Sequence, residues 1–149
     1  MELNTRGRYA VMAMADIAKY GGGDAVPLSR VAERQGLSVS YLEQLFLKLR
    51  RAGLVTSLRG RAGGYVLVRS ADDIRVSDIM AAVEEETRMT RCPSEGTTGC
   101  LGEERCLTHR LWEALGDEIH AFLAGVSLQQ VLDGIERPGV RTAVAGAAE

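Results

Sequence analysis

In the stretch SVSYLEQLFLKLRRAGL, Leu42, Leu45, Phe46 and Leu49 recur at three- and four-residue spacing. That period predicts a helix from about Ser38 to Ala52 with one buried face, while Ser40, Tyr41, Glu43, Gln44, Lys48 and Arg51 lie largely elsewhere on its surface. Ser40 and Glu43 have the spacing of a capping box, and Gly53 is well placed to end the helix in a left-handed conformation. A shorter helix, about Ser29 to Gln35, precedes it and reaches Gly36, so the pair reads as helix, tight turn, helix. Further upstream, Asn4 and Thr5 can cap a first helix running to about Lys19, with Tyr9, Met12, Ile17 and several alanines as its apolar stripe. GGGD breaks that pattern and Pro27 restarts the chain.

Two β-rich runs follow at once, Leu54 to Leu58 and Tyr65 to Val68, joined by a Gly-rich loop that carries Arg59 and Arg61. This predicts a hairpin with a basic tip. A helix-turn-helix followed directly by such a hairpin describes a winged helix, which sets its second helix in the major groove of DNA and lays the wing against backbone or minor groove.

The second half of the chain is helical in pattern too. Val76, Ile79, Met80 and Val83 form the buried face of one helix, and Glu84 to Glu86 read as its solvated end. From about Thr108 to Leu123 a longer helix carries Leu111, Leu115, Ile119 and Phe122 on one stripe, with Trp112 as a further apolar contact. Such a stripe wants a partner, and pairing with its copy across a two-fold axis would present two recognition helices to two half-sites. Packing within one chain is the alternative. Ser127 and Gln130 have the spacing of a capping box opening a last short helix, SLQQVLDGIE.

The fold expected is therefore mainly α. A winged helix-turn-helix DNA-binding domain with a two-stranded β wing occupies residues 1–70. A loop (92–109) and the helices proposed for dimerisation occupy residues 71–137. The small, weakly apolar stretch 138–149 reads as a disordered tail.

Charge sharpens this picture. The net charge of −2 hides a split: residues 1–69 carry 11 Lys/Arg against 5 Asp/Glu, a net +6, and residues 70–149 carry 7 against 15, a net −8. The basic half suits a polyanion such as double-stranded DNA, and the acidic half limits indiscriminate binding. Within the basic half, Ser40 and Gln44 can hydrogen-bond base edges, Arg59 can enter a narrow minor groove, and Tyr41, Lys48, Arg51 and Arg61 suit phosphates. Glu43 has one good partner in the major groove, the amino group of cytosine, and would penalise wrong sequences; a helix-capping role is its other reading.

At 149 residues and 46% hydrophobic, the chain has room for one good core or two small ones. The N-terminal apolar run is broken by Asp16 and is too short for a membrane span or a signal peptide, so a cytoplasmic location is expected. No Cys-x-x-Cys pair, cofactor loop or substrate-pocket signature supports an enzyme.

All three cysteines fall in CPSEGTTGCLGEERCLTH, beside one of the two histidines. Cys92, Cys100, Cys106 and His109 offer three thiolates and one imidazole, a soft donor set matching zinc or an iron–sulfur cluster. Structural zinc sites usually pinch the ion between ligands two to four residues apart. The wide, Gly-bearing intervals here favour something larger, and a 2Fe–2S cluster fits the ligand count at two per iron. A neutral imidazole in place of a fourth thiolate tends to raise the potential and makes ligation sensitive to protonation. The other histidine, His120, reads as exposed or interfacial.

LNTRGRYAVMAMADIA, LSVSYLEQLFLKLRRAGLV, RGRAGGYVL and CLTHRLW together resemble the winged-helix repressor family that includes the IscR, NsrR and RirA regulators, over residues 1 to about 135. The histidine three residues after the last cysteine is similar to the IscR branch. That resemblance implies a homodimeric transcription regulator, mainly a repressor, with a 2Fe–2S cluster held at Cys92, Cys100, Cys106 and His109. It further implies a two-fold DNA operator, control of cluster-assembly genes and the iron–sulfur assembly machinery as cluster donor. A glutamate like Glu43 is expected to discriminate between site classes, and an arginine like Arg59 to enter the minor groove. The interval between Cys92 and Cys100 is longer than is usual in that branch. Within the same family, a nitric-oxide- or iron-responsive repressor with a different cluster is the nearest alternative, and a zinc-stabilised winged-helix repressor the next.

Overall fold

Asn4 opens the first helix: its side-chain oxygen accepts the Arg6 N–H, and α1 runs Thr5–Gly21 before Gly22 turns left-handed at φ 55°. In the computed structural model, which describes residues 3–90 and 104–135, six helices and two strands follow one another among the described residues. Helix α2 (Leu28–Gln35) ends at Gly36 in the same left-handed conformation, and α3 (Val39–Arg51) begins after a turn of three residues. The expected order of helix, turn and helix is present.

The start of α3 corrects one expectation. Its N-cap is Ser38, whose hydroxyl accepts the Tyr41 N–H at 3.4 Å, while Ser40 already lies inside the helix. The capping box between Ser40 and Glu43 is therefore not formed. Gly36 sends the chain back early enough that the first serine after Leu37 meets the open N–H groups, and the better-spaced pair arrives too late.

Strands β1 (Val55–Leu58) and β2 (Gly64–Leu67) pair antiparallel, with Val55 opposite Leu67 and Leu58 opposite Gly64. Val26 and Tyr65 exchange backbone hydrogen bonds at 2.9 Å each, which stitches the wing to the segment just before α2. Gly64 makes that approach possible. It sits at φ 153°, and a Cβ there would lie 2.3 Å from the Val26 carbonyl carbon.

Helix α4 (Val76–Ala82), α5 (His109–Gly125) and α6 (Leu128–Asp133) complete the fold. The predicted capping box at α6 is present, with Ser127 Oγ accepting the Gln130 N–H and the Gln130 side chain accepting the Ser127 N–H. The helix stops at Asp133, short of the predicted SLQQVLDGIE. Its entry is fixed to the α4 entry by Leu128 N–H to Ile74 O and Val76 N–H to Val126 O. As a result Ile74, Ile79, Val83 and Leu128 share one buried cluster with Met14, Leu42, Phe46 and Leu49 of α1 and α3. Each such side chain contributes about 1.5–3 kcal/mol on burial.

Helix α4 ends in a Schellman motif. Glu84 donates to Ala81 O and Glu85 to Met80 O, and Glu84 takes the left-handed position at φ 58°. It is the one non-glycine residue with positive φ among the described residues.

Candidate nucleic-acid interface and metal-ligand residues

Four of the predicted readers lie on the open side of α3: Ser40, Glu43, Gln44 and Arg51 are exposed. Tyr41 is half-buried, its ring edge-on to Tyr9 with centroids 6.1 Å apart, so its ring packs against α1 and helps hold α3. Glu43 makes no capping contact, because Ser38 caps the helix. Its carboxylate is free to act as a reader. Spacing of three and four places Leu47 on the same stripe as Ser40, Gln44 and Arg51, and Leu47 is 39% exposed. Sequence reasoning overlooked it, although that spacing was the signal that could have found it. The wing tip exposes Arg59 and Arg61 on the loop between β1 and β2, with Leu58 exposed beside them.

Lys48 is occupied. Its ammonium donates to Glu84 at the end of α4. The next residue, Glu85, has a side chain only 7% exposed, and Oε2 lies 3.7 Å from Arg6 Nε. The run Glu84 to Glu86 is exposed at Glu84 and Glu86, as expected of a solvated helix end, but the Glu85 side chain is covered, and the first two carboxylates turn back onto basic side chains of α3 and α1. A hydrogen bond and the charge of Lys48 hold the Glu84 carboxyl below its ordinary range.

Of the four candidate metal ligands, Cys92 and Cys100 lie outside the described residues. Cys106 and His109 stand at the entry of α5, linked by His109 N–H to Cys106 O at 3.1 Å. Cys106 Sγ is 3.6 Å from Thr108 Oγ1, which also accepts from Trp112 Nε1 at 3.2 Å. His109 is 5% exposed. Its Nε2 lies 2.9 Å from Arg105 Nη1 and 3.7 Å from Glu113 Oε1, whereas Nδ1 is buried without a hydrogen-bond partner among the described residues. Beside the ring is a cavity of about 280 Å³ whose walls include Thr87, Met89, Trp112 and Gly116. A thiolate and an imidazole three positions apart, one with an unpartnered buried nitrogen, form a donor set that fits a soft metal centre. No group of three or more candidate ligands occurs among the described residues.

The apolar stripe of α5 is only partly covered. Leu111 is 60% and Phe122 52% exposed, Leu115 and Ile119 are half-buried, and His109 is the one buried residue of the helix. His120 is exposed, as expected. No helix among the described residues is long and apolar enough to cross a membrane.

A family model, Rrf2, described as an iron-dependent transcriptional regulator, matches residues 3–134. The chain belongs to the Rrf2 family. It is 48% identical over 136 residues to the HTH-type transcriptional regulator IscR of Photorhabdus laumondii, covering 91% of this chain and 82% of that one. The regulator of the same name from Escherichia coli is 46% identical over 136 residues, 91% of this chain and 83% of the other. Among solved structures, IscR of T. potens superposes with a TM-score of 0.72 at 38% identity, over 89% of this chain and 87% of that chain. CymR of B. subtilis, the global cysteine regulator, gives 0.74 at 32% identity over 89% and 97%. The resemblance seen in the sequence holds, and so does the winged-helix fold. This Rrf2 chain is a DNA-binding transcriptional regulator.

Proposed function

We propose that this regulator binds a two-fold operator as a homodimer, acts mainly as a repressor of cluster-assembly genes, and senses iron–sulfur status through a 2Fe–2S cluster held by Cys92, Cys100, Cys106 and His109. The observation that carries the reading is His109, an imidazole buried at the entry of α5 three residues beyond Cys106, with Nδ1 unpartnered among the described residues. Leaving a buried ring nitrogen unpaired is unfavourable, and coordination is one way to satisfy it. A bound cluster supplies a redox-active centre that can be lost.

The chain's own residues account for the rest. Arg105 and Glu113 flank His109 Nε2, and in the tautomer that leaves Nδ1 open to a metal the ring proton sits on Nε2, on the side of the Glu113 carboxylate. Thr108 fixes Trp112 and approaches Cys106, so ligand placement is built into the first turn of α5. The open stripe from Leu111 to Phe122 begins two residues beyond His109, with the ligand pair at the foot of the surface proposed for dimerisation. Ser40, Glu43 and Gln44 supply base contacts, Arg59 the minor-groove contact, and Arg51 and Arg61 phosphate contacts. The relatives named IscR support this assignment.

Anaerobic purification followed by visible absorption and metal analysis tests it. Coloured protein with about two irons per chain is expected from the four-ligand reading. Colourless protein loaded with zinc would defeat it.

A further inference from the structure

We infer that Glu84 is an internal stand-in for a DNA phosphate, holding the Lys48 ammonium of α3 so that Lys48 contributes to DNA binding only when Glu84 lets go. The inference rests on the reading that the exposed face of α3 meets DNA.

Three observations carry it. The first is the pair itself. Lys48 Nζ donates to Glu84 Oε2 across 36 positions of sequence, while Arg51, one turn further along α3, has no ion pair among the described residues. One cation of α3 is paired with a carboxylate, in a bond that stays open to solvent. Lys48 also keeps the Glu84 carboxyl below its usual range, through a hydrogen bond and its charge.

The second is the backbone. Glu84 fills the left-handed position of a Schellman motif, where glycine is preferred because a Cβ is unfavourable there. A glutamate at a position that favours glycine points to a use for its side chain. The third is how firmly that position is set. The neighbouring Glu85 is buried against α1, where a Cβ on Gly7 would come within 2.7 Å of Glu85 Cγ, and its carboxylate faces Arg6. Two successive carboxylates are thereby turned onto basic groups of the DNA-reading half.

A lysine that meets a phosphate releases about 0.9 of a condensed counterion, and a lysine already neutralised by a carboxylate does not. Glu84 would itself be repelled by the phosphate it imitates.

The test uses the full chain and a mixed-sequence DNA duplex, with affinity followed by fluorescence anisotropy between about 50 and 200 mM salt. Glu84→Gln should bind more tightly, with the slope of log affinity against log salt steeper by about 0.9 for each protomer on the duplex, so that the loss of affinity across that range grows about 3.5-fold per protomer. Lys48→Ala should leave the parental slope almost unchanged yet abolish the gain when combined with Glu84→Gln. Glu84→Gly, which suits the left-handed backbone, should give the same DNA effect without a lower melting temperature. An unchanged slope for Glu84→Gln, or the same steepening from Glu86→Gln, overturns the inference. If Gln44→Ala and Arg51→Ala both fail to weaken binding, the α3 reading itself has failed, whatever Glu84 does.

Discussion

Asp16 of α1 is gripped by Arg34 of α2 through two hydrogen bonds, Nε to Oδ2 at 3.0 Å and Nη2 to Oδ1 at 2.6 Å, and Gln35 adds a third at 2.7 Å. The carboxylate is fully buried, whereas the Arg34 side chain keeps 30% of its surface and stacks on Tyr20 with 4.4 Å between guanidinium carbon and ring centre. One charge is desolvated and the other remains partly wet. Hydrogen bonding to Asp16 raises the Arg34 pKa above its ordinary value. The clamp sets the angle at which α2 leaves α1, and through Gly36 the position of α3.

Asp16→Ala should therefore lower the melting temperature clearly, because a buried three-bond acceptor is lost. Glu33→Ala removes only the exposed pair with Arg30 and should leave melting nearly unchanged. Thermal melts followed by circular dichroism compare the two. Equal shifts would contradict a structural role for the clamp.

Gly64→Ala should destabilise the chain by at least about 1 kcal/mol, since the new Cβ meets backbone that cannot rotate away and φ stays positive. The strand would part from Val26 and shift the loop bearing Arg59 and Arg61, so DNA affinity should fall too. Denaturant titration and operator binding on the same sample measure both effects. A variant as stable as the parent would show that the approach to Val26 is not tight in solution.

Gln44→Ala should weaken operator binding and relax base preference by about 1–3 kcal/mol at one position, the range for a bidentate base contact. Arg59→Ala should weaken binding most at sites with a narrow, electronegative minor groove. Competition between a cognate operator and single-base variants checks these, and unchanged affinity in both substitutions would remove α3 and the wing from the interface.

What was legible in the sequence followed its local period. The stripe Leu42, Leu45, Phe46 and Leu49 is buried as its spacing requires, and the glycines around Arg59 and Arg61 stand where the hairpin turns. The cap of α3 was misread because Ser38 and Ser40 both precede an apolar run. The choice between them depends on where the turn at Gly36 delivers the chain, which is tertiary information. Lys48 and Glu84 have no sequence signal of pairing at all, since 36 positions separate them and each has an ordinary exposed-face reading of its own. The covered Glu85 escaped for the same reason.

On the proposed cluster reading, His109→Ala should give a protein that loses the cluster readily yet folds. The imidazole is buried, but it belongs to neither apolar cluster, and its only close polar neighbours among the described residues are Arg105 and Glu113 at one nitrogen. Little packing should be forfeited. Iron content after purification should drop while the far-ultraviolet spectrum and the melting midpoint stay near the parent's. Global unfolding would identify the site as structural and weaken the sensor reading.

Leu111, at 60% exposure, and Phe122, at 52%, are separated by three helical turns, with half-buried Leu115 and Ile119 between them. The end of this stripe nearest the core is anchored instead, through Leu123 against Val76, Met80 and Val126. The exposed side can thus change without disturbing the fold. Burying each of these side chains in a partner would contribute about 1.5–3 kcal/mol, and a two-fold interface counts each one twice. Phe122→Glu, which places a charge in that surface, should yield a folded monomer by light scattering, with operator affinity reduced because one half-site is left unread. A Phe122→Glu protein that still runs as a dimer would move the pairing surface away from α5.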